Sequence, residues 1–143
     1  MQVPEVPESS ALRYRVERRT RWCDEDRFGV LNNAIYMTLF EEARLAYFEQ
    51  LGVIEDGQFP FLLAQTNVRF LAPGRGGQRV TLEMATKTLG TKSIVQVYRV
   101  RGQDGTAWCE AEALLVTVDV KTLQTKPMAS ALRAAITDFE GLD

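Results

Sequence analysis

The stretch WCDEDRFGVLNN, residues 22–33, separates a strand-like segment from one long amphipathic helix. It carries two aspartates, Asp24 and Asp26, and ends in Asn32 and Asn33, where the helix is predicted to begin. The first amide groups of a helix have no partners within the helix. A proton-accepting carboxylate beside such amides can promote attack on a carbonyl group while its oxygen is held.

Residues 32–51, which follow directly, have the period of a helix. Asn32 or Asn33 can cap its start, and Gly52 is placed to end it. About 20 residues correspond to roughly 30 Å of helix. Charged residues stand between apolar side chains that recur at helical spacing, namely Tyr36, Leu39, Phe40, Ala43, Tyr47 and Leu51.

The rest of the chain is mostly strand-like, with alternating apolar and polar residues bounded by turn residues. One strand is predicted over residues 12–22, with Leu12, Tyr14, Val16, Thr20 and Trp22 on one face. Later strands are predicted over residues 61–71, 79–89, 93–101 and 106–121, and a short helix over residues 128–139. The order predicts an α+β domain in which an antiparallel sheet wraps around one long helix. Residues 1–11 are expected to form a flexible tail, and residues 12–143 a single domain.

Composition excludes several classes of function. The formal net charge is −2, so no basic field indicates a nucleic-acid partner. No apolar run approaches the roughly 18 residues that cross a bilayer. Cys23 and Cys109 form no disulfide framework or metal-ligand spacing, so a reducing cytoplasm is the expected location. The chain has no histidine. This excludes Ser-His-Asp and Cys-His sites and leaves acid–base chemistry to carboxylates, Lys, Tyr or Cys.

The ordered residues resemble those of a known family. Their pattern is Arg21-Trp22-x-Asp24-x-Asp26-x-x-Gly29-x-x-Asn32-Asn33-x-x-Tyr36, followed by Phe40-Glu41-x-Ala43-Arg44, Phe70-x-x-Pro73, Leu89-Gly90-x-Lys92-Ser93, Asp104-Gly105 and Val116-x-Val118-Asp119. This set, over roughly residues 12–135, resembles the hotdog-fold acyl-CoA thioesterases, in particular their 4-hydroxybenzoyl-CoA thioesterase-like branch. Many relatives carry histidine after the glycine, where this chain has Val30.

The resemblance implies a hotdog fold and a homodimer or homotetramer whose sheets join edge to edge, with the thioester at the subunit interface. It also implies that Asp26 is the catalytic carboxylate and that the backbone N–H of Asn33 polarises the carbonyl. No cofactor is expected, because coenzyme A is part of the substrate. The function expected is hydrolysis of a fatty-acyl or aromatic acyl-CoA, with acyl carrier protein thioesters as further candidates.

Each of these residues also has a structural interpretation. Asp26 could act as base or as nucleophile, or could only accept hydrogen bonds from its own loop. Asp24 is expected to orient the loop by pairing with Arg21 or Arg27. Cys23 is interpreted as a small packing residue. On the helix, Glu41 and Glu42 are expected to face solvent or to pair with Arg44.

The substrate-binding predictions extend further along the chain. Gly29 is expected to let the backbone turn or approach the ligand. Lys92 and Ser93 are candidates for binding the phosphates of coenzyme A. The candidates for an apolar acyl pocket are Phe28, Tyr36, Phe40, Phe61 and Leu63. A protein that binds acyl thioesters without hydrolysing them is the alternative function, and a hotdog dehydratase ranks last because it would require histidine.

Overall fold

The computed structural model describes residues 2–54 and 56–143 as two α-helices and five β-strands, joined by turns. In chain order these are β1 (Tyr14–Arg19), α1 (Asn33–Gln50), β2 (Phe61–Phe70), β3 (Arg79–Leu89), β4 (Ser93–Arg101), β5 (Ala107–Thr117) and α2 (Ser130–Glu140). Alternation of apolar and polar residues predicted both ends of β3 and β4 to the residue. The predicted α1 agrees to within one residue at each end.

The five strands form one sheet in the order β1-β3-β4-β5-β2, and every neighbouring pair is antiparallel. β1 and β2 are therefore the two edges of the sheet. Gly102-Gln103-Asp104-Gly105 is a sequence typical of a hairpin turn, and it forms the turn between β4 and β5, in which Gly105 has a φ of 87°. The predicted antiparallel sheet with one long helix is confirmed.

The core lies between α1 and the face of the sheet that is directed toward it. The even-numbered residues of β4, such as Ile94 and Tyr98, point to this face, as does Met84 of β3. The rings of Phe40 and Tyr98 lie 5.1 Å apart between helix and sheet. Of the six apolar positions predicted on α1, all but the terminal Leu51 are buried: Tyr36, Leu39, Phe40, Ala43 and Tyr47.

The outer face of the sheet carries an ion-pair network that also contacts the N-terminal segment. Arg99 lies 2.8 Å from Glu110 and 3.4 Å from Glu83. The same guanidinium donates a hydrogen bond to the carbonyl of Pro7 at 2.9 Å. Ser9 donates another to Glu83 at 2.8 Å. The segment predicted to be a flexible tail is thus bonded to the sheet through Pro7 and Ser9.

The predicted boundaries of three elements were wrong. The first strand ends at Arg19, and Trp22 lies in a 3-10 turn with 82% of its surface exposed, because Asp24 accepts the amide of Arg21 and bends the chain there. The last strand ends at Thr117, since the next residues turn around Asp119 instead of continuing the ladder. The terminal helix begins at Ser130 and ends at Glu140, because Gly141, whose φ is 68°, follows as its C-cap.

Candidate active site

The acidic stretch folds back on itself as a tight hairpin-like loop. Glu25 and Leu31 form an antiparallel bridge, and the amide of Asp26 donates to the carbonyl of Val30 at 2.8 Å. The amide of Asn32 donates to the carbonyl of Asp24 at 2.9 Å. The loop therefore brings the backbone of Asp26 beside the residues that immediately precede α1.

The carboxylate of Asp26 accepts one hydrogen bond from the residues that the structure describes. Its Oδ1 accepts the amide of Phe28 at 2.8 Å, and the side chain is only half buried. Among the residues that the structure describes, none donates a hydrogen bond to Oδ2. The carboxylate is thus held in place through one oxygen while the other is available to water or to a substrate.

Asp24 has a different environment from Asp26. Its carboxylate is buried and accepts the backbone amide of Arg21 at 2.8 Å and its guanidinium at 2.9 Å. Burial acts to raise the pKa of Asp24, but these hydrogen bonds and the charge of Arg21 outweigh it and lower the pKa. The predicted pairing with Arg21 is confirmed, and Asp24 closes the turn that leads into the loop.

At the start of α1, one amide group has no acceptor in the described part of the chain. The side chain of Asn32 accepts the amide of Ala34 at 2.9 Å, which confirms it as the cap. The carbonyl of Asn32 accepts the amide of Ile35 at 2.9 Å. Within residues 2–54 and 56–143, nothing accepts the amide of Asn33. This N–H is directed from the positive end of the helix dipole.

A groove of about 290 Å³ lies against this helix start. Asn33 and Tyr36 line it from α1, and Phe70, Leu71 and Gly74 line it from the end of β2 and the segment that follows. The rings of Tyr36 and Phe70 lie 5.4 Å apart. Burial raises the pKa of Tyr36 to about 12, so its hydroxyl is neutral at physiological pH. The groove is mostly apolar, and Asn33, whose amide has no acceptor among the described residues, is one of its lining residues.

Gly29 in the loop of Asp26 and Gly74 in the wall of the groove occupy positions where a larger side chain would be strained or would overlap its neighbours. Gly29 has a φ of 72°, the left-handed region that side chains disfavour, and its carbonyl accepts a hydrogen bond from the guanidinium of Arg75. At Gly74 a Cβ atom would overlap the hydroxyl of Tyr36 and the ring of Trp108. The carbonyl of Gly74 also accepts the amide of Leu31 at 2.9 Å. Sequence reasoning identified Gly29 but missed Gly74.

The other predicted binding residues lie elsewhere. Phe40 is buried against Tyr98 in the core. Lys92 and Ser93 lie where β3 meets β4, at the opposite end of the sheet from the Gly102–Gly105 turn. Phe28 is 89% exposed at the tip of the loop. Phe61 and Leu63 line a second cavity beside α1, together with Arg44.

Three expectations about reactive or charged side chains are corrected or refined. Cys23 is exposed, so its interpretation as a packing residue was wrong. Burial raises the pKa of Cys109, the other thiol, to about 12.

Glu41 and Glu42 face solvent as expected, and Glu42 lies 3.7 Å from Arg18. Arg44 pairs with neither of these glutamates in the described structure and instead bonds Tyr98 in the interior.

In the part of the chain that the structure describes, acidic and cysteine side chains nowhere gather in threes to hold a metal ion. Neither α1 nor α2 is long and apolar enough to cross a membrane.

Comparison with known proteins identifies the family. The family described as the thioesterase-like superfamily matches residues 19–136. The chain belongs to this superfamily. The prediction of a thioester hydrolase is therefore confirmed at the level of the family. The chain is 27% identical over 121 residues to the Escherichia coli acyl-CoA thioester hydrolase YbgC, a match that covers 81% of this chain and 88% of that protein.

Solved structures agree with this assignment. A thioesterase from Thermus thermophilus, described in complex with coenzyme A and zinc, has a TM-score of 0.79 and 29% identity, covering 89% of this chain and 94% of its own. Slr0204, a 1,4-dihydroxy-2-naphthoyl-CoA thioesterase from Synechocystis, has a TM-score of 0.77 at 18% identity, covering 87% of this chain and 96% of its own. The second likeness supports the fold alone. The predicted α+β hotdog fold is confirmed.

Proposed function

We propose that this protein hydrolyses acyl-CoA thioesters, with Asp26 as the carboxylate that activates or delivers the nucleophile. The observation that carries the proposal is Asn33, whose amide has no acceptor among the described residues and which lines an apolar groove together with Val30 and Leu31 of the Asp26 loop. Membership of the thioesterase-like superfamily supports thioester hydrolysis as the reaction at this site. Fatty-acyl and aromatic acyl groups both suit the groove walls, which include Tyr36 and Phe70.

In this proposal the free oxygen of Asp26 removes a proton from water as the water attacks the thioester carbonyl. Negative charge then develops on the carbonyl oxygen, and the amide of Asn33 donates a hydrogen bond to it. One such donor is worth roughly 2.7–4 kcal/mol in other hydrolases. Collapse of the tetrahedral intermediate releases the thiolate of coenzyme A and the acid. Direct attack by Asp26, through a mixed anhydride, uses the same groups. Neither route requires a cofactor.

The active unit that we propose is a homodimer formed along β2. This strand is an edge of the sheet, and its residues 62–65 are exposed. An unpaired edge with apolar side chains favours pairing with a second copy. Antiparallel pairing would bring the Phe61 end of one β2 against the Phe70 end of the other. The Lys92–Ser93 turn of the second copy would then lie at the end of the sheet that carries the groove, where it could meet the phosphates of coenzyme A.

The test is release of thiol from a panel of aliphatic and aromatic acyl-CoAs. The variant Asp26→Asn keeps the shape and the acceptor for Phe28 but removes the base. We expect it to lower kcat by about 10²–10⁴-fold, the usual contribution of a general base. Acyl carrier protein thioesters in the same panel test the wider substrate class.

Asp104 offers a matched control for this variant. Its Oδ1 accepts the amide of Thr106 at 2.9 Å, the same local bond that Asp26 makes with Phe28 at 2.8 Å. If Asp26 had only that structural role, Asp26→Asn and Asp104→Asn would lower the melting temperature alike and neither would abolish thiol release. A protein that binds acyl-CoA but releases no thiol from any substrate would contradict the proposal.

A further inference from the structure

Trp22 exposes most of its side chain on the surface beside the loop of Asp26. The chain bends where the amide of Arg21 bonds to Asp24, and Trp22, within this bend, has 82% of its surface exposed. It follows β1, the edge strand opposite to β2, so it lies away from the edge along which we propose the dimer. An exposed indole offers a flat apolar face on which the planar ring of a ligand can stack.

A short segment of the chain joins the surface at Trp22 to the groove. Gly74 lines the groove. Two residues later, the backbone of Gly76 lies so close to that of Trp22 that a Cβ atom at Gly76 would overlap it. Two residues of extended chain span at most about 7 Å. A ligand that extends from the groove along this segment therefore reaches the indole.

Arg75 lies between these two glycines and is exposed to solvent. Its Nη1 donates a hydrogen bond to the carbonyl of Gly29, which holds the guanidinium beside the loop of Asp26. In the described part of the chain, no carboxylate lies within 4.0 Å of this guanidinium, and nothing accepts a hydrogen bond from its Nε or Nη2. Arginine binds phosphate through two such N–H groups, so Arg75 presents an anion-binding group close to Trp22.

Two further arginines, Arg19 and Arg79, lie directly opposite each other on β1 and β3, at the end of the ladder next to this surface. Opposed like charges destabilise a sheet. Of these two, only Arg79 has a carboxylate within 4.0 Å in the described chain, that of Glu17. Residues 17–30 and 73–79 together contain six arginines and four acidic residues, although the formal net charge of the whole chain is −2. This surface therefore carries an excess of positive charge on a protein that is acidic overall.

We propose that this surface binds the nucleotide end of a coenzyme A thioester, with the adenine ring on Trp22 and the phosphates on Arg75. The inference rests on the proposed function, because the other end of the same substrate would carry the thioester into the groove. An indole beside an arginine suits a ligand that has both a planar base and phosphate groups. The thioester of an acyl carrier protein has no base to stack there, so the surface favours coenzyme A thioesters over it.

The experiment compares coenzyme A with phosphopantetheine, which lacks the nucleotide, by titration calorimetry on the full chain. We expect the wild type to bind coenzyme A at least about tenfold more tightly. Trp22→Ala should lower the affinity for coenzyme A by about tenfold, the effect of losing one stacked base, and leave that for phosphopantetheine unchanged. Arg75→Met should weaken the binding of coenzyme A by at least about tenfold, because it removes hydrogen bonds to a charged group.

Arg13→Met is the matched control for Arg75→Met. Arg13 is also exposed, and its Nη1 likewise donates to one backbone carbonyl, that of Phe139 at 3.3 Å. It precedes β1, at the end of that strand opposite to Trp22, so this variant should bind both ligands like the wild type. Fluorescence gives a second measurement that the calorimetry does not depend on. Trp108→Phe leaves Trp22 as the only tryptophan, whose emission coenzyme A should quench and phosphopantetheine should not.

Equal wild-type affinities for the two ligands would overturn the proposal, as would a Trp22→Ala protein that keeps the preference for coenzyme A. A loss of affinity in Lys92→Met alone would place the phosphates at the Lys92 turn and would also overturn it. Trp22 and Arg75 are exposed, so their variants should melt close to the wild type. Because binding needs no turnover, a protein that binds coenzyme A in this way but releases no thiol would contradict the hydrolysis and leave this site intact.

Discussion

Two buried carboxylates, Asp24 and Glu140, have pKa values displaced in opposite directions. The pKa of Asp24 is lowered because the donors of Arg21 outweigh its burial. The pKa of Glu140 is raised because burial outweighs the hydrogen bonds from the Thr86 amide at 2.7 Å and the Tyr47 hydroxyl at 2.8 Å. Both carboxylates are buried, so the direction of each pKa shift depends on whether hydrogen bonds and nearby charges outweigh that burial.

The pKa of Glu140 predicts a dependence of stability on pH. Because the folded value is raised above the ordinary 4.5, the folded protein binds this proton more tightly than the unfolded chain does. The contribution is fully present below that ordinary value and is lost as the pH rises through the folded value. Glu140→Gln stays neutral and still accepts both hydrogen bonds. We expect its free energy of unfolding, from urea titrations, to fall less than that of the wild type as the pH rises from 4.5.

Glu49→Gln is the control for this measurement, because Glu49 is an exposed glutamate on α1. Its free energy of unfolding should follow the wild-type curve across the same pH range. A Glu140→Gln protein with the wild-type slope would show that this carboxylate does not cause the effect.

At the scale of elements, α1 serves both the fold and the proposed chemistry. Its buried side packs on the sheet through Phe40 and Tyr47, while its first turn borders the groove. The proposed oxyanion donor is a backbone N–H of Asn33, so substitution of that side chain by alanine should change activity little. Only removal of the N–H itself tests its role.

Proline at the first position of a helix removes the N–H without disturbing the helix. Asn32, the residue before it, has φ −60° and ψ 134°, the extended conformation that a following proline requires. We expect Asn33→Pro to fold with near wild-type stability and to lower kcat by about 10²–10³-fold, the effect of losing one oxyanion donor. Steady-state kinetics and thermal melts on the same preparation measure both quantities.

Ser130→Pro is the matched control at the start of α2. Its preceding residue, Ala129, has φ −60° and ψ 141°, almost the same backbone as Asn32. This variant should melt like Asn33→Pro and retain full thioesterase activity. Retention of activity by Asn33→Pro would remove this amide from the proposed mechanism.

At the scale of the whole molecule, the order of strands leaves one edge of β2 unpaired, because β2 is hydrogen-bonded to β5 along its other edge. The two cavities border opposite ends of this strand, the groove of Asn33 near Phe70 and the cavity of Arg44 near Phe61. A second copy that pairs antiparallel along β2 would bring unlike ends together. The proposed active unit therefore depends on this one edge.

Gln65 lies near the middle of β2 and is exposed, so in such a dimer it would approach its own copy. We expect Gln65→Lys to place two like charges at the interface and shift the protein to a monomer, with loss of thioesterase activity. Sedimentation velocity and thiol release measure the two effects together. Gln50→Lys, at an exposed glutamine at the end of α1, should leave both unchanged. A Gln65→Lys dimer with full activity would contradict pairing along β2.

The amino-acid sequence by itself determined the elements and the candidate carboxylates. Periods of two and of 3.6 residues are local properties, so β3, β4 and α1 followed from side-chain spacing and from turn residues such as Gly105 and Gly52. The spacing of apolar residues does not indicate the hydrogen bond from the amide of Arg21 to Asp24, which ends the strand. The predicted strand therefore extended to Trp22, three residues beyond its observed end at Arg19. Asn32 as the cap and Asp24 as the partner of Arg21 needed only near neighbours in the chain.

Tertiary structure alone decided what surrounds those residues. The groove wall at Phe70 and Gly74 lies far beyond Asn33 in the chain, and only the packing of β2 beside α1 brings them together. In the sequence, Arg44 has the position of a charged residue between the apolar positions of α1. In the structure it is buried, and its Nε donates a hydrogen bond to the hydroxyl of Tyr98 on β4. Strand order, cavities and buried charges depend on contacts between segments far apart in the chain, and local periodicity contains no information about such contacts.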